Sequence, residues 1–476
     1  MKQFLLIIIG CLAYSQFWGQ CPQRIPKDQV TEDLVYLYET LESAHYDLYA
    51  NCPKTTFDIS LERILAELPD SLSLLEVFQI FQPFVAQAQM GHCTLEFPFA
   101  YCYGPFIQNG GKLFPMTVQV EGDRMWVRQH YDSLAPLPTG TEILEIQGQP
   151  IPEFLEPVYD YLAGETPLLK TTMLDLATLP RILWILGITP DSFALKIKQP
   201  DGVISEVKVN TINAGEFEGF MAQEAPIFSQ DRDFRMYDQV AYLKPGPFTN
   251  RDSGADPDGG LSKDEAEFTS FLDTAFTQMR EEGAHTLIVD LRNNPGGTNT
   301  ISDHLIAYLA DVPFRFCSRF SVKTSAVTKA IWEDIHDDDL AQLRSDILSH
   351  EDGVIFDSNI PWVHPRDDST HFDGDLYFLV NRYTYSQGTV VAAMAQDFGI
   401  GKVVGEPTAD TPTTYGAIHQ FKLPNTQISV NYPKALVIRP NGNENHIGIQ
   451  PDEEMPDNFW TPEDELLEGL LKKIDH

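Results

Sequence analysis

Two apolar strand patterns, each followed by a tight turn and then a helical pattern, constrain the fold of this chain most strongly. Residues 286–291 have the composition of a buried strand, and Gly296 and Gly297 follow where that strand should give way to a helix. Residues 376–380 repeat the arrangement, with Ser386 at the end of the second turn. Successive strand–turn–helix units build an α/β layer, and sites form at the carboxyl ends of its strands. The sequence therefore predicts an α/β domain with a site at these two turns.

Ser386 is the candidate nucleophile of that site. A serine on a tight turn at a helix start meets free amides and the positive end of the helix dipole, both of which stabilise developing negative charge. The residue pattern equally fits an ordinary helix N-cap. Gly296 and Gly297 are ambiguous in the same way, because a glycine pair can simply permit a turn or can expose amides suited to an oxyanion.

The region at 25–98, ahead of this domain, has a helical pattern of apolar residues. Its third helix should begin at a capping box formed by Ser73 and Glu76 and should end near Gly91. His92 then lies just beyond a helix end. It can serve as a general base or as a helix-end histidine bonded to carbonyl oxygens.

Residues 112–212 have a different texture, with short alternating strand patterns and glycine turns. Within this module, residues 137–151 resemble the PDZ segment in which a strand leads to a glycine turn and then to a helix. PDZ domains bind peptide ends by adding a strand to a sheet edge, so the resemblance implies substrate capture or gating. The alternative is a β-rich spacer without a ligand. The remaining residues, 230–476, are assigned to the α/β domain.

The charge of the chain excludes polyanionic partners. The net charge is −36, and no cluster of lysine and arginine is visible. Binding to nucleic acid or to anionic lipid headgroups needs a basic face, so neither partner is expected.

The first residues resemble an export signal. Lys2 precedes an apolar run at 4–13 that is too short to span a bilayer, which predicts a cleavable signal over residues 1–20 with cleavage after Ser15 or Gly19. We expect a secreted or periplasmic protein without a membrane-spanning segment after signal removal. Cysteine and histidine spacing predicts no metal and no other cofactor. The disulfide pairings considered are Cys21 with Cys52 and Cys93 with Cys102.

Four segments of the last domain resemble one family. They are Leu-Ile-Val-Asp-Leu-Arg-Asn-Asn-Pro-Gly-Gly at 287–297, Val-Asn-Arg-Tyr-Thr-Tyr-Ser at 380–386, Val-Val-Gly-Glu-Pro-Thr at 403–408 and Gly-Ile-Gln-Pro-Asp at 448–452. Together they are similar to the C-terminal-processing (tail-specific) serine peptidases and their tricorn-core-like relatives. The resemblance implies a ClpP/crotonase-like ββα catalytic domain, preceded by a helical region and a PDZ-like module, with Ser386 as the nucleophile.

This chain departs from the family pattern at one place, and that departure indicates which branch of the family it resembles. The processing peptidases place a lysine base shortly after the Gly-Glu-Pro-Thr segment, where this chain has Ala409 and Asp410. The tricorn-like branch instead uses a histidine ahead of the PDZ-like module and a late glutamate, which the resemblance assigns to His92 and Glu444. In that branch a hydroxyl residue before the histidine relays to the glutamate, whereas Gly91 stands at that position here.

The resemblance therefore implies an exported serine endopeptidase that cleaves unfolded or C-terminally exposed polypeptides. Ser386 attacks the peptide carbonyl, His92 is the base, and amides at Gly296, Gly297 and Gln387 form the oxyanion hole. An inactive peptide- or ligand-binding protein that keeps the fold is the alternative, and an esterase shares the same machinery. The sequence does not predict an oligomeric state.

Overall fold

The computed structural model describes residues 23–131, 136–249, 266–336, 340–366, 370–457, 461 and 463–474. The predicted export signal at 1–20 lies outside this part of the chain. Across the described residues, no helix combines the length and the apolar composition needed to cross a bilayer.

The N-terminal region is mainly helical. Its elements are β1 (Arg24–Pro26), α1 (Lys27–Ala44), α2 (Lys54–Glu67), β2 (Ser71–Ser73), α3 (Leu74–Ala86), β3 (Thr94–Leu95), a π-helical turn (Phe99–Tyr103) and α4 (Gly104–Gln108). The capping box is confirmed, since the Ser73 hydroxyl accepts from the Glu76 amide and the Glu76 carboxylate accepts from the Ser73 amide. The helix ends at Ala86, slightly before the predicted end, and two further turns lead to His92.

A buried carboxylate fastens this region to the α/β domain. Asp33 in α1 is fully buried, and its oxygens accept hydrogen bonds from the amides of Asn425 and Thr426, each at 2.8 Å. The Thr426 hydroxyl donates to the same carboxylate at 2.6 Å. Hydrogen bonds to an ionised group are strong, so the helical region is held against the last domain rather than being a loose extension.

The middle of the chain builds its own antiparallel sheet. The elements are β4 (Lys112–Leu113), β5 (Met116–Glu121), β6 (Arg124–His130), β7 (Glu142–Ile146), β8 (Gln149–Pro150), α5 (Ile151–Tyr159), α6 (Pro167–Ala177), α7 (Leu179–Ile185), β9 (Ser192–Lys198), β10 (Ile204–Asn210), β11 (Ile212–Asn213) and α8 (Ala214–Met221). The strand order is β10-β9-β7-β6-β5, which leaves β5 at an edge. The PDZ-like character of this module and its boundaries stay predictions.

The last part of the chain confirms the α/β class. Its elements are β12 (Asp233–Tyr237), β13 (Val240–Lys244), α9 (Ala266–Glu282), β14 (Thr286–Asp290), α10 (Asn299–Ala307), β15 (Arg319–Lys323), α11 (Ala326–Glu333), α12 (Ala341–Ser349), β16 (Ile355–Asp357), β17 (Asp375–Val380), α13 (Gln387–Asp397), β18 (Lys402–Gly405), β19 (Thr414–Lys422), β20 (Ser429–Ile438), β21 (Glu453–Glu454) and α14 (Glu465–Ile474). One sheet has the order β12-β13-β14-β17-β18-β21 and is parallel from β13 onwards. Because β14 and β17 are parallel neighbours, their following turns meet at one edge of the sheet.

A second, antiparallel sheet brings the helical region to the edge of the parallel sheet where the two turns meet. It has the order β16-β15-β20-β19, and β3 of the helical region pairs with β20 through Leu95 with Val430 and Thr94 with Asn431. His92 lies two residues before Thr94. Strand pairing across more than three hundred residues of sequence therefore fixes where this histidine lies.

Candidate active site

Ser386 occupies a strained turn at the start of α13. Its backbone has φ 52° and ψ −123°, a conformation that residues other than glycine rarely adopt. The Ser386 side chain makes no capping hydrogen bond, so the hydroxyl is not used to stabilise the helix. Strain of this kind persists only where the surroundings enforce it, and it concentrates at functional sites. Here the Asp410 carboxylate accepts a hydrogen bond from the Ser386 amide at 2.5 Å.

The two glycines lie directly against this turn. A Cβ on Gly296 would be 2.6 Å from the Gln387 nitrogen and 2.7 Å from the Ser386 Cβ, closer than packed atoms approach. The Gly296 amide donates to the Asn294 side chain at 2.8 Å. Because this amide already donates a hydrogen bond, Gly296 does not supply an oxyanion donor as predicted. Its contribution is the absence of a side chain, which leaves room for the Ser386 turn.

Two neighbouring amides remain available at this place. Within the described residues, the amides of Gly297 and Gln387 have no hydrogen-bond acceptor. Gln387 is the first residue of α13, where an amide has no partner inside the helix. Amides of this kind, directed at a point beside a serine hydroxyl, can bind an oxyanion.

His92 approaches the same turn from the helical region. Its side chain is 6% exposed, and its ring centroid lies 5.5 Å from that of Tyr385, the residue before Ser386. No hydrogen bond joins His92 to the Ser386 hydroxyl in the described structure. Catalytic hydrogen bonds are often loose without substrate and tighten when it binds, so this separation is compatible with a base and nucleophile pair.

Two carboxylates that the sequence did not single out flank the histidine. Glu165, just before α6, accepts from the Gly91 amide at 3.1 Å. Burial raises the pKa of Glu165 and that of Asp410, while the nearby charge of His92 acts to lower both pKa values. Neither carboxylate is hydrogen-bonded to the imidazole. Asp410 follows the segment in which the family lysine was sought, which is the one sequence signal for it, and no sequence signal pointed to Glu165.

Glu444 lies in a different environment from the one predicted. Its side chain is 66% exposed, and its carboxylate pairs with Arg319 at 3.1 Å. The structure does not join Glu444 to His92, because the polar turn that carries Glu444 faces solvent and the carboxylate pairs with Arg319 of β15. The acids near the histidine are instead Glu165 and Asp410.

The cysteine beside the histidine is a structural residue. Cys93 is a buried free thiol, and burial, together with the charge of Glu165, raises its pKa to about 12. A thiol with such a pKa supplies almost no thiolate at neutral pH. Cys52 is also free, whereas Cys102 is disulfide-bonded. Both disulfide pairings considered from the sequence are therefore wrong.

An ion pair connects the Ser386 turn to the middle module. Arg382 is 4% exposed and lies 3.5 Å from the fully buried Asp175 of α6. Its guanidinium also donates to the hydroxyls of Thr171 and Thr172, at 2.8 Å and 3.1 Å. The Tyr383 hydroxyl donates to Asp175 at 2.8 Å. The turn that carries Ser386 is thus fixed on both sides, by the sheet and by α6.

The stability of this region should depend on pH. Burial raises the pKa of Glu406, which follows β18, from 4.5 to about 7. Because the native state then binds more protons than the unfolded state, the contribution is fully present below pH 4.5 and is lost as the pH rises through 7. We expect the free energy of unfolding to fall by roughly 2 kcal/mol between pH 5 and pH 8 from this group alone.

Urea unfolding at both pH values measures this effect. Glu406→Gln should flatten the pH dependence by that amount, while Glu62→Gln at an exposed site of α2 should leave it unchanged. An equal slope in all three proteins would show that Glu406 ionises normally in the folded state.

The described residues contain no group of three or more histidine, cysteine, aspartate or glutamate side chains that could hold a metal ion. The structure places several side chains and amides at the site. These are a serine hydroxyl, an imidazole, two buried carboxylates and two free amides.

Comparison with known proteins finds one family model that matches part of the chain and solved structures with a similar fold. Residues 260–455 match the family model described as Peptidase family S41, and no curated protein matches. Mature CPAF is 17% identical, with a TM-score of 0.63 over 94% of this chain and 96% of that chain. Mature CPAF complexed with lactacystin is 17% identical, with a TM-score of 0.64 over 94% and 97%. The photosystem II D1 C-terminal processing protease is 14% identical, with a TM-score of 0.43 over 90% and 92%.

Proposed function

Because residues 260–455 match the model of Peptidase family S41, we propose that this chain is an exported serine endopeptidase with a Ser386–His92 mechanism. The observation that carries the proposal is the strained Ser386 turn, in which the hydroxyl caps nothing and two free amides lie beside it. The hydroxyl of an ordinary N-cap serine would instead accept a hydrogen bond from an amide of the first helical turn.

The reaction follows from these groups. The neutral imidazole of His92 takes the Ser386 proton while Oγ attacks the peptide carbonyl, and the carbonyl electron pair moves onto oxygen. The amides of Gly297 and Gln387 stabilise that oxyanion. His92 then returns the proton to the leaving amine as the C–N bond breaks, and water repeats the sequence to release the acyl group.

The middle module supports a peptide as the substrate. Its edge strand β5 and the end of α6 line a cavity of about 430 Å³ that extends to Phe228. The Phe228 ring lies 6.0 Å from the ring of Tyr385, next to the nucleophile. A polypeptide held in this cavity would therefore lead towards Ser386.

Export is proposed from the sequence alone. Lys2 and the apolar run at 4–13 have the composition of a cleavable signal. The substrates would accordingly be polypeptides outside the cytoplasm, in unfolded or C-terminally exposed form.

The proposal is tested by cleavage of casein and by labelling with a fluorophosphonate probe. We expect Ser386→Ala to lose labelling and at least about a thousandfold of the cleavage rate, and His92→Ala to lose roughly a hundredfold or more. Ser325→Ala is the matched control, because the Ser325 hydroxyl caps α11 by accepting from the Thr328 amide at 3.1 Å. It should cost about 1 kcal/mol of stability and leave both activities intact.

Lactacystin, present in the CPAF complex, provides a second probe, since pre-incubation should block the labelling of Ser386. A folded wild-type protein that neither cleaves nor labels would refute catalysis. Peptide binding by the full chain, with β5 variants, would then become the measurement of interest.

A further inference from the structure

One nitrogen of the His92 imidazole lacks a hydrogen bond in the described part of the structure. Its Nδ1 atom is buried and has no hydrogen-bond partner among the described residues. A buried polar atom without a partner costs free energy. For a histidine that takes a proton on Nε2, the Nδ1–H also needs an acceptor that fixes the tautomer and stabilises the imidazolium.

Two buried carboxylate oxygens nearby also lack a hydrogen-bond partner. Glu165 Oε1 and Asp410 Oδ1 are each buried without a hydrogen-bond donor in the described part of the chain. The second oxygen of each carboxylate is occupied, by the Gly91 amide and by the Ser386 amide respectively. One ring nitrogen of His92 and two carboxylate oxygens near it are therefore left unpaired in the described residues.

The occupied oxygens indicate which acid lies on which side of the ring. Asp410 binds the amide of Ser386 and so belongs to the nucleophile's side. Glu165 binds the amide of Gly91, the residue before His92, and so belongs to the histidine's own backbone. In a serine–histidine pair, the supporting acid lies across the imidazole from the serine. Glu165 is therefore the better candidate, because its contact is to the backbone beside the histidine, whereas the contact of Asp410 is to the backbone of the serine.

We propose that Glu165 is the positioning residue for His92, with its free carboxylate oxygen accepting the Nδ1–H during catalysis. This inference rests on the proposed serine–histidine function. Glu165 takes the part that the sequence assigned to Glu444, and its Oε2 is the oxygen that accepts from the Gly91 amide. In this step the proton from Ser386 stays on the imidazole and is not passed on to Glu165.

The position of Glu165 makes the middle module part of the site. Glu165 lies immediately before α6, and the hydroxyl of the neighbouring Thr166 donates to the Ala409 carbonyl at 3.4 Å. The same helix holds Arg382 near Ser386. One helix of the module therefore contacts both the histidine side and the serine side of the site.

The test compares Glu165→Gln and Glu165→Asp with the wild type in steady-state peptide cleavage. The glutamine keeps an acceptor for the Gly91 amide but loses the charge, so kcat should fall roughly 10²- to 10⁴-fold with little change in KM. The aspartate should recover part of this loss. Glu156→Gln, at an exposed site of α5, is the matched control and should keep the wild-type rate.

The pH profile separates positioning from a purely structural role. The titratable groups near His92 are Glu165, Asp410 and Tyr385, with Cys93 next to it in the chain. Removing the Glu165 charge leaves the imidazolium less stable, so the acid limb of kcat/KM should move to lower pH in Glu165→Gln. A structural role would lower the rate without moving that limb.

The outcomes distinguish this inference from the proposed function. If the wild type is active, Ser386→Ala is inactive and Glu165→Gln retains its rate, the inference is wrong while the peptidase stands. A large loss in Glu444→Gln with normal Glu165 variants would transfer the role to Glu444. If Glu165→Gln fails to fold, the rate and pH profile of Glu165→Asp decide, and an unchanged rate with an unmoved limb overturns the inference.

Discussion

Gly296→Ala is expected to reduce peptide cleavage by about a thousandfold and to lower stability by several kcal/mol. A Cβ at this position would lie 2.6 Å from the Gln387 nitrogen, 2.7 Å from the Ser386 Cβ and 2.8 Å from the Tyr385 carbonyl oxygen. All three contacts belong to the backbone or the first side-chain atom of the nucleophile turn, so no flexible group can give way. The turn must move, and the amide of Gln387 moves with it.

The same substitution also carries a conformational penalty. Gly296 has φ 91°, where an L side chain is strained by about 1–3 kcal/mol. Gly353→Ala is the matched control, since Gly353 has φ 84° and open space around its Cβ position. Gly353→Ala should lose a similar amount of stability from backbone strain and should keep full activity.

Casein cleavage, probe labelling and urea unfolding of both variants measure these effects. Gly296→Ala with normal cleavage would show that the Gln387 amide is not needed for the oxyanion. If both variants lose stability but keep their activity, Gly296 is needed only for the backbone conformation of the turn.

Arg382→Met is expected to destabilise the protein by about 3–5 kcal/mol, the usual cost of leaving one member of a buried ion pair alone. Asp175 is fully buried, and only Arg382 forms an ion pair with it among the described residues. Burial already raises the pKa of Asp175 to about 6 with the arginine present. Without that cation the carboxylate must either stay charged in an apolar site or take up a proton.

The double variant Arg382→Met/Asp175→Asn tests the cause. The asparagine oxygen can still accept from Tyr383, while the unpaired charge is gone, so more than half of the lost stability should return. Arg63→Met, at an exposed site of α2, is the control and should change stability by less than about 0.5 kcal/mol.

Activity provides a second readout for this pair. Arg382 lies four residues before the nucleophile, so its loss should also lower kcat in protein that remains folded. Normal stability and cleavage in Arg382→Met would show that α6 does not support the Ser386 turn.

The local elements were readable from the sequence because each depends on neighbouring residues. The capping box of α3 needs only Ser73 and Glu76, and the strand at Thr286–Asp290 needs only its own apolar run. The meeting of the two strand turns also followed, since parallel neighbours end at one edge of a sheet. These inferences were right to within one or two residues.

The supporting acids of the site were not readable in the same way. Glu165 lies 73 residues after His92, and nothing in its own segment signals a charge near an imidazole. Glu444 matched a family position, but its carboxylate pairs with Arg319 in an exposed turn. A side chain's partner depends on which segments pack together, and a family position does not fix the direction of its side chain.

The sequence by itself determined the α/β class and the positions of the two strand turns, because these rest on short-range patterns, while the roles expected of Ser386 and His92 came from the family resemblance. Only the tertiary structure decided what surrounds His92. The pairing of β3 with β20 delivers the histidine to the serine, and the packing of α6 brings a carboxylate from a third region of the chain. Long-range pairing is selected by the burial of whole faces, which no local pattern records.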